Sequence, residues 1–220
     1  MEIFFEMFLY TMPSRKYFRS RRSRPALSKR QVKSVKSLVN RTREKKIHGT
    51  VDTSVAVDQT GDVIDLCAVP QATTASTDLA REGDVISPYR LEARLNFRRS
   101  GTNGGDIIRI IFFKWKSDST PVISDILGGA SNTEHPLAQD TKGLYVMLSD
   151  NVLRLGNYDS SLNRLQFKKF FSQKKLGQTV RYNGGTTTGH NKIYMCIIGD
   201  RAGADVSNVD YNCRLHFTDA

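Results

Sequence analysis

Arginine and lysine side chains crowd into the first 48 residues of this chain, and their density there implies chemistry with an anion. That segment holds 14 of the 33 Lys and Arg residues but three of the 22 acids, so its formal charge is +11. Residues 49–220 carry 19 cations and 19 carboxylates and are neutral. Because Lys and Arg displace the counterions condensed on phosphates, a cationic segment on a neutral body favours a polyanion. We therefore expect a nucleic-acid partner.

Ten basic residues in this segment are the candidates for contact with phosphates. They are Arg15, Lys16, Arg19, Arg21, Arg22, Arg24, Lys29, Arg30, Lys33 and Lys36. Tyr17 and Phe18 lie among them and can stack on unpaired bases. Residues 15–30 hold too little apolar material to offset the entropy of ordering them, so we predict a disordered basic arm over residues 1–28. Such a basic cluster also serves as a nuclear import signal, and a merely solubilising tail is the alternative.

A helical pattern begins at Ser28. Gln31 follows Ser28 at the spacing of a capping box, and apolar residues then recur at helical intervals, at Val32, Val35, Leu38 and Val39. This predicts a basic amphipathic helix over residues 29–46. A helix of this kind could lie on a membrane, but it lacks the Trp and Phe anchors that favour that position, so we expect nucleic acid and no membrane.

Residues 47–220 show strand signals almost throughout. Residues 89–97 alternate between apolar and polar types, with Tyr89 on the apolar side, while residues 107–115 form a nearly continuous apolar run typical of a central buried strand. Further strands are expected at 50–57, 63–66, 143–149, 151–156, 165–171, 179–182, 192–199 and 209–217, with one short helix near 121–128. Many short strands with little helix predict an all-β sandwich or barrel with Greek-key connections.

No residue cluster in the sequence has the spacing of a catalytic or metal site. The glycine-rich stretch 101–105 is not followed by the Lys-Ser/Thr of a phosphate-binding loop, and the four histidines stand alone. The three cysteines are widely spaced, which argues against a disulfide framework and a zinc site, and Cys196 and Cys213 lie in apolar runs as small core residues. The opening residues 1–11 lack the features of a signal peptide. We therefore expect that the protein is not an enzyme.

Several short segments together resemble a known family. Residues 33–220 are similar to the single jelly-roll coat protein of satellite tobacco necrosis virus and to capsid proteins of small circular single-stranded DNA viruses. The most specific match is in the last third of the chain, and the others are dispersed. The matching segments are 35–44, 81–86, 108–115, 120–127, 180–184, 193–200 and 217–220.

The resemblance implies an eight-stranded jelly roll over residues 47–220, assembled as a sixty-subunit (T=1) icosahedral shell. The basic arm and helix would then contact a single-stranded DNA or RNA genome inside a virion that assembles in the host nucleus or cytoplasm. A host receptor is implied but not identified. Sixty arms of 14 cations would bring 840 positive charges, which would neutralise most phosphates of a genome on the order of a thousand nucleotides.

The resemblance also implies calcium between subunits. Glu44 and Asp219 match two carboxylate ligands of the family, and Glu82 falls where the family offers a backbone carbonyl. Val85 stands where a side-chain amide is expected, and losing one oxygen weakens a Ca²⁺ site unless Asp84 replaces it. The alternative is that Glu44 complements the basic helix and that Asp219 is simply exposed.

Two other classes of protein remain open. One is a monomeric nucleic-acid-binding β-barrel with a basic tail, which needs aromatic and basic residues together on an exposed sheet face. Phe112, Phe113 and Trp115 lie instead in a run that we expect to be buried. The other is a jelly-roll lectin or hydrolase, for which the sequence offers no site.

Overall fold

The computed structural model describes most of the chain: residues 28–32, 34, 44–72, 79–99, 106–128, 133–156, 164–177, 179–203 and 206–219. The chain divides into two units, Met1–Thr42 and Arg43–Ala220. In the first unit, residues 29–32 and 34 are helical. Within the described ranges, no helix has both the length and the apolar character needed to cross a membrane.

The described residues of the second unit form ten strands and two single-turn helices. The strands are β1 (Lys46–Val57), β2 (Asp62–Asp65), β3 (Val85–Arg98), β4 (Asp106–Trp115), β5 (Tyr145–Leu155), β6 (Arg164–Ser172), β7 (Val180–Tyr182), β8 (Gly189–His190), β9 (Lys192–Gly199) and β10 (Ser207–Asp219). The helices are α1 (Ile123–Ile126) and α2 (Gln173–Leu176).

Two antiparallel sheets contain all of these strands. The first sheet runs β1-β10-β3, and β3 then pairs with β6 along most of its length and with β7 near its start, with β8 beside β7. The second sheet runs β2-β9-β4-β5. The pairs β1/β10, β2/β9, β3/β6 and β4/β5 thus alternate between the sheets, an all-β arrangement consistent with the predicted jelly roll. The short strands β7 and β8 extend the first sheet.

The main core lies between the two sheets. In β3, Leu91 and Phe97 point inward and are fully buried, while Arg90, Arg94 and Arg98 on the opposite side are exposed. From the second sheet, Ile110 and Phe112 meet them, and the ring of Phe112 lies 5.2 Å from that of Phe171 on β6. The alternation that predicted a strand with one wet face is therefore confirmed for β3.

A second apolar cluster covers the outer face of the second sheet. Phe113 stacks on Tyr194 of β9 with ring centroids 5.7 Å apart, and Trp115 lies beside them. Ile123 and Ile126 of α1 pack over these rings. β4 and β9 are consequently buried on both faces, which confirms the expectation of a central strand at 107–115.

Beyond shifts of a few residues at the ends of strands, the structure differs from prediction in the division of one strand, the side of Tyr89 and the end of the basic helix. The strands predicted at 143–149 and 151–156 are one strand, β5 (Tyr145–Leu155), because the polar residue Asp150 pairs with Arg109 on β4 instead of ending the strand. Tyr89 is not on the buried face: it is the extra residue at a bulge opposite His216 and Phe217 and is half-buried. The predicted helix end is wrong at residue 46, since Lys46 begins β1 and pairs with Phe217.

Candidate nucleic-acid interface

The start of the basic helix has the predicted capping box. The backbone N–H of Gln31 donates to Oγ of Ser28 at 3.2 Å, and the backbone N–H of Ser28 donates to Oε1 of Gln31 at 2.9 Å. Lys29 and Arg30 follow on the exposed first turn. Two of the ten predicted phosphate contacts are therefore exposed helical residues. The other eight, together with Tyr17 and Phe18, lie outside the described residues.

The outward side of the first sheet carries a second group of cations, which sequence reasoning did not select. We call the outward side of β10, β3 and β6 the basic face. Cross-strand register places Arg94 of β3 between Asn212 of β10 and Lys168 of β6. The basic face holds six cations, Arg90, Arg94, Arg98, Arg164, Lys168 and Arg214, against the two carboxylates Glu92 and Asp210. The pattern Arg164, Gln166, Lys168, Phe170 along β6 was the available signal.

Ion pairs on the basic face use its two carboxylates. Glu92 lies 2.6 Å from Nη2 of Arg90 and 3.4 Å from Nε2 of His216, and Arg94 approaches it at 3.9 Å. Asp210 pairs with Arg98, and its pKa is lowered by a hydrogen bond from the Ser54 N–H and by that arginine. These pairs leave a net charge of +4 on the face.

A groove of about 400 Å³ crosses the basic face. Its polar lining combines the cations Arg94 and Lys168 with the amide side chains of Asn96, Gln166 and Asn212, while Asp52 and Asp210 add carboxylates. Near the groove, Phe170 follows Lys168 on the same side of β6 and is 54% exposed. The guanidinium of Arg90 lies 5.8 Å from the centroid of its ring. This surface can offer charge, hydrogen bonds and an aromatic platform to one ligand.

The three predicted calcium residues also meet, but around a lysine. Nζ of Lys46 lies 2.9 Å from Oε1 of Glu82, 2.9 Å from Oδ2 of Asp219 and 3.8 Å from Oε2 of Glu44. The Lys46 side chain is fully buried. Burial lowers the pKa of Lys46, but hydrogen bonds and charges from Asp219 and Glu82 outweigh it, so the pKa lies above its ordinary value.

This lysine cluster does not fit a calcium ion as it stands. Ca²⁺ needs six to eight oxygens at about 2.3–2.6 Å, and here the ammonium occupies the space between the carboxylates. Within the described ranges, no three His, Cys, Asp or Glu side chains are arranged to hold a metal ion. Asp84, considered as a replacement ligand, pairs with Arg81 at 3.1 Å. Calcium binding stays a prediction.

Arg81 fixes the segment that carries Glu82. Its guanidinium is buried and donates to the carbonyls of Gly184 and Thr186, each at 2.8 Å. The guanidinium also lies 4.1 Å from the ring centroid of Tyr182 on β7. The loop after β7 is thereby tied to the residues just before β3, which holds Glu82 near Lys46.

Comparison with solved structures finds chains of virus particles at low similarity. A structure of Desmodium yellow mottle tymovirus has a TM-score of 0.38 and 10% identity over 80% of this chain and 88% of that chain. A structure described as the KBV activated particle at acidic pH has a TM-score of 0.34 and 12% sequence identity, over 100% of this chain and 82% of that chain. The VP2 subviral particle of infectious bursal disease virus has a TM-score of 0.30 and 9% sequence identity, over 80% of this chain and 33% of that chain. Scores at this level do not establish a shared fold. No protein-family model and no curated protein matches the chain.

Proposed function

We propose that the protein is a viral capsid protein that forms an icosahedral shell through its β-sandwich and packages nucleic acid through the basic segment 15–46. The observation that carries the proposal is the division of charge. All of the excess, +11, lies in residues 1–48, whereas the folded body is neutral. A neutral body can associate with copies of itself without strong mutual repulsion, while a cationic arm neutralises phosphates.

The all-β architecture supports the same proposal. Two antiparallel sheets with alternating strand pairs are consistent with a jelly roll, an architecture found in viral capsid domains and also in lectins and cupins. In the described part of the body, no three His, Cys, Asp or Glu side chains form a cluster that could hold a metal ion. On this proposal the shell has sixty subunits, encloses single-stranded DNA or RNA, and assembles in the host nucleus or cytoplasm.

Packaging through the arm would be electrostatic. Contacts from Lys and Arg to phosphates position a nucleic acid without reading its sequence, so affinity should fall steeply with salt and depend little on base composition. Arg15, Lys16 and the other eight candidates would act together, and no single one would be indispensable.

Electron microscopy of the purified chain tests the proposal. We expect particles roughly 200 Å across, estimated for sixty close-packed domains of this size, with nuclease-protected contents. Replacing the ten candidate cations by glutamine keeps the length of the arm and should reduce packaged nucleic acid, as should deletion of residues 1–30, while circular dichroism still reports a folded β body. A single chain at every salt concentration, or unchanged contents in the glutamine variant, would contradict the proposal.

The second candidate is a monomeric nucleic-acid-binding β protein with a basic tail. The observation that favours it is the basic face with the exposed ring of Phe170, since exposed basic and aromatic groups on one sheet are what such a protein needs. Against it, Phe112, Phe113 and Trp115 are all buried. Size-exclusion chromatography separates the two candidates, because this one elutes as a single chain that still binds an oligonucleotide.

A further inference from the structure

We propose that the basic face of the first sheet is a second binding surface for single-stranded nucleic acid, independent of the arm. This inference rests on the proposed function for its ligand class and adds a site on the folded body. The net charge of the body does not indicate this site, because that charge is zero. The first sheet gathers an excess of cations on its outward side, although residues 49–220 as a whole have no net charge.

The two sheets differ in what covers them. The outer face of the second sheet is closed by α1 and a second apolar cluster that includes Phe113 and Tyr194. The corresponding face of the first sheet carries no such cover in the part of the chain that the structure describes, and Arg90, Arg94 and Arg98 are about half exposed along β3. Of these two outer faces in the described residues, the one without an apolar cover is the basic face.

The cations of the basic face outnumber the carboxylates that can pair with them. Arg90 and Arg98 have close carboxylate partners, Arg94 has one at 3.9 Å, and within the described ranges Arg164, Lys168 and Arg214 are in no ion pair. Cations held this close together repel one another, and a phosphate chain would relieve that repulsion while releasing its own counterions. Charge complementarity therefore selects a polyanion as the occupant.

The uncharged groups select nucleic acid among polyanions. Phe170 exposes just over half of its surface beside Lys168, and an exposed ring next to cations is the arrangement that stacks unpaired bases. The amides of Asn96, Gln166 and Asn212 in the adjacent groove can donate to and accept from base edges. A duplex would keep its bases away from the ring, so the occupant is single-stranded.

The first test compares two double variants of the full chain. Arg94→Gln/Lys168→Gln removes two cations from the basic face, and Arg154→Gln/Lys142→Gln removes two exposed cations elsewhere. Binding of a single-stranded oligonucleotide is measured by fluorescence anisotropy across a salt series. We expect the negative slope of log K against log salt to become shallower by about 1.4 in the basic-face variant, at about 0.7 per lost phosphate contact, and to change little in the control. Equal slopes in the two variants would overturn the inference.

The second test reads stacking directly. Phe170→Trp places an indole on the basic face, whereas the native Trp115 is buried, and Val152→Trp places one at an equally exposed position on the other sheet. We expect the oligonucleotide to quench the fluorescence of the Phe170→Trp variant alone, and heparin to leave it unquenched. No quenching, or equal quenching by heparin, would overturn the inference. If the wild-type chain bound no oligonucleotide at all, the proposed function would fail with it.

A different observation carries a second inference: we infer that the Lys46 ammonium is the resident cation of the Glu44, Glu82 and Asp219 carboxylates and takes the place of a divalent ion. The buried ammonium lies within ion-pair distance of all three groups. It joins the first residue of β1, the segment before β3 and the end of β10. A divalent ion would have to displace a side chain that is fully enclosed.

Thermal unfolding with calcium and with chelator tests this inference. The wild-type Tm should agree within about 1 °C between the two conditions, because no site is vacant. Lys46→Met removes the ammonium and leaves carboxylates facing one another, so its Tm in chelator should fall by about 5 °C or more and recover in part with calcium. The control is Lys45→Met, at an exposed neighbour. Should Lys46→Met fail to fold, calorimetric titration of calcium into wild type decides, and saturable binding at micromolar calcium would overturn the inference.

Discussion

Asp150 holds the guanidinium of Arg109 in a two-pronged ion pair, with Nε donating to Oδ1 at 2.9 Å and Nη2 donating to Oδ2 at 2.7 Å. The pair joins β5 to β4, and Nη1 of Arg109 also donates to the carbonyl of Thr133 at 3.1 Å. The hydrogen bonds that Arg109 donates to Asp150, together with the charge of that carboxylate, outweigh burial and raise the pKa of Arg109. Arg109 thereby links β4 to β5 and to the segment that contains Thr133.

Removing Asp150 should destabilise the body. Asp150→Ala leaves the guanidinium of Arg109, which is 10% exposed, without its carboxylate, so we expect a loss of about 2 kcal/mol in the free energy of unfolding measured with urea. Arg90→Ala is the matched control, since it breaks a 2.6 Å pair whose arginine is 53% exposed and should cost less than about 1 kcal/mol. Equal losses would show that burial does not set the strength of these pairs.

Gly189 in β8 should not tolerate a side chain. A Cβ there would lie 1.9 Å from the carbonyl oxygen of Arg181 and 2.7 Å from Cα of Tyr182, so Gly189→Ala must displace backbone. We expect a loss of about 2 kcal/mol or more in unfolding free energy. Gly49→Ala in β1, where nothing lies within 4 Å, should change it by less than about 0.5 kcal/mol. A neutral Gly189→Ala would contradict the close approach of β7 and β8.

Stability should fall as the pH drops below the ordinary pKa of histidine. Burial lowers the pKa of His48 below 6.5, although Asp65 opposes this, so the unfolded chain takes up the proton first. Stability is therefore lost as the pH falls from about 6.5 through the pKa of the folded state. Burial, against the effect of Lys192, raises the pKa of Asp65 above 3.8, and its protonation acts in the opposite direction at lower pH.

Substitution isolates the contribution of His48. His48→Gln should flatten the dependence of Tm on pH between about pH 7.5 and 5.5 relative to the wild type. An identical slope in the wild type and in His48→Gln would assign the effect to another group.

The three thiols should be unreactive in the folded protein. Cys67, Cys196 and Cys213 are all buried, and burial raises the pKa of Cys196 and of Cys213 to about 12, so almost no thiolate forms at neutral pH. Ellman's reagent should label none of them in buffer and all three in denaturant. Rapid labelling of the folded chain would contradict the burial of at least one of these cysteines.

Local patterns in the sequence determined much of the fold. The capping box at Ser28 and Gln31, the alternation of residues 89–97 and the buried run at 107–115 are each properties of a few consecutive residues. They follow from helical and strand periodicity, which act at short range. The charge division between residues 1–48 and the rest is likewise a count that no folding changes.

The tertiary structure alone decided which charges became neighbours. Arg94, Lys168 and Arg214 lie on three strands far apart in sequence, and only the order β10-β3-β6 and its register gather them on one face. The same holds for Lys46 and Asp219, at opposite ends of the body, which meet because β1 pairs with β10. Contacts across strands depend on register between distant segments, which periodicity within a segment does not specify.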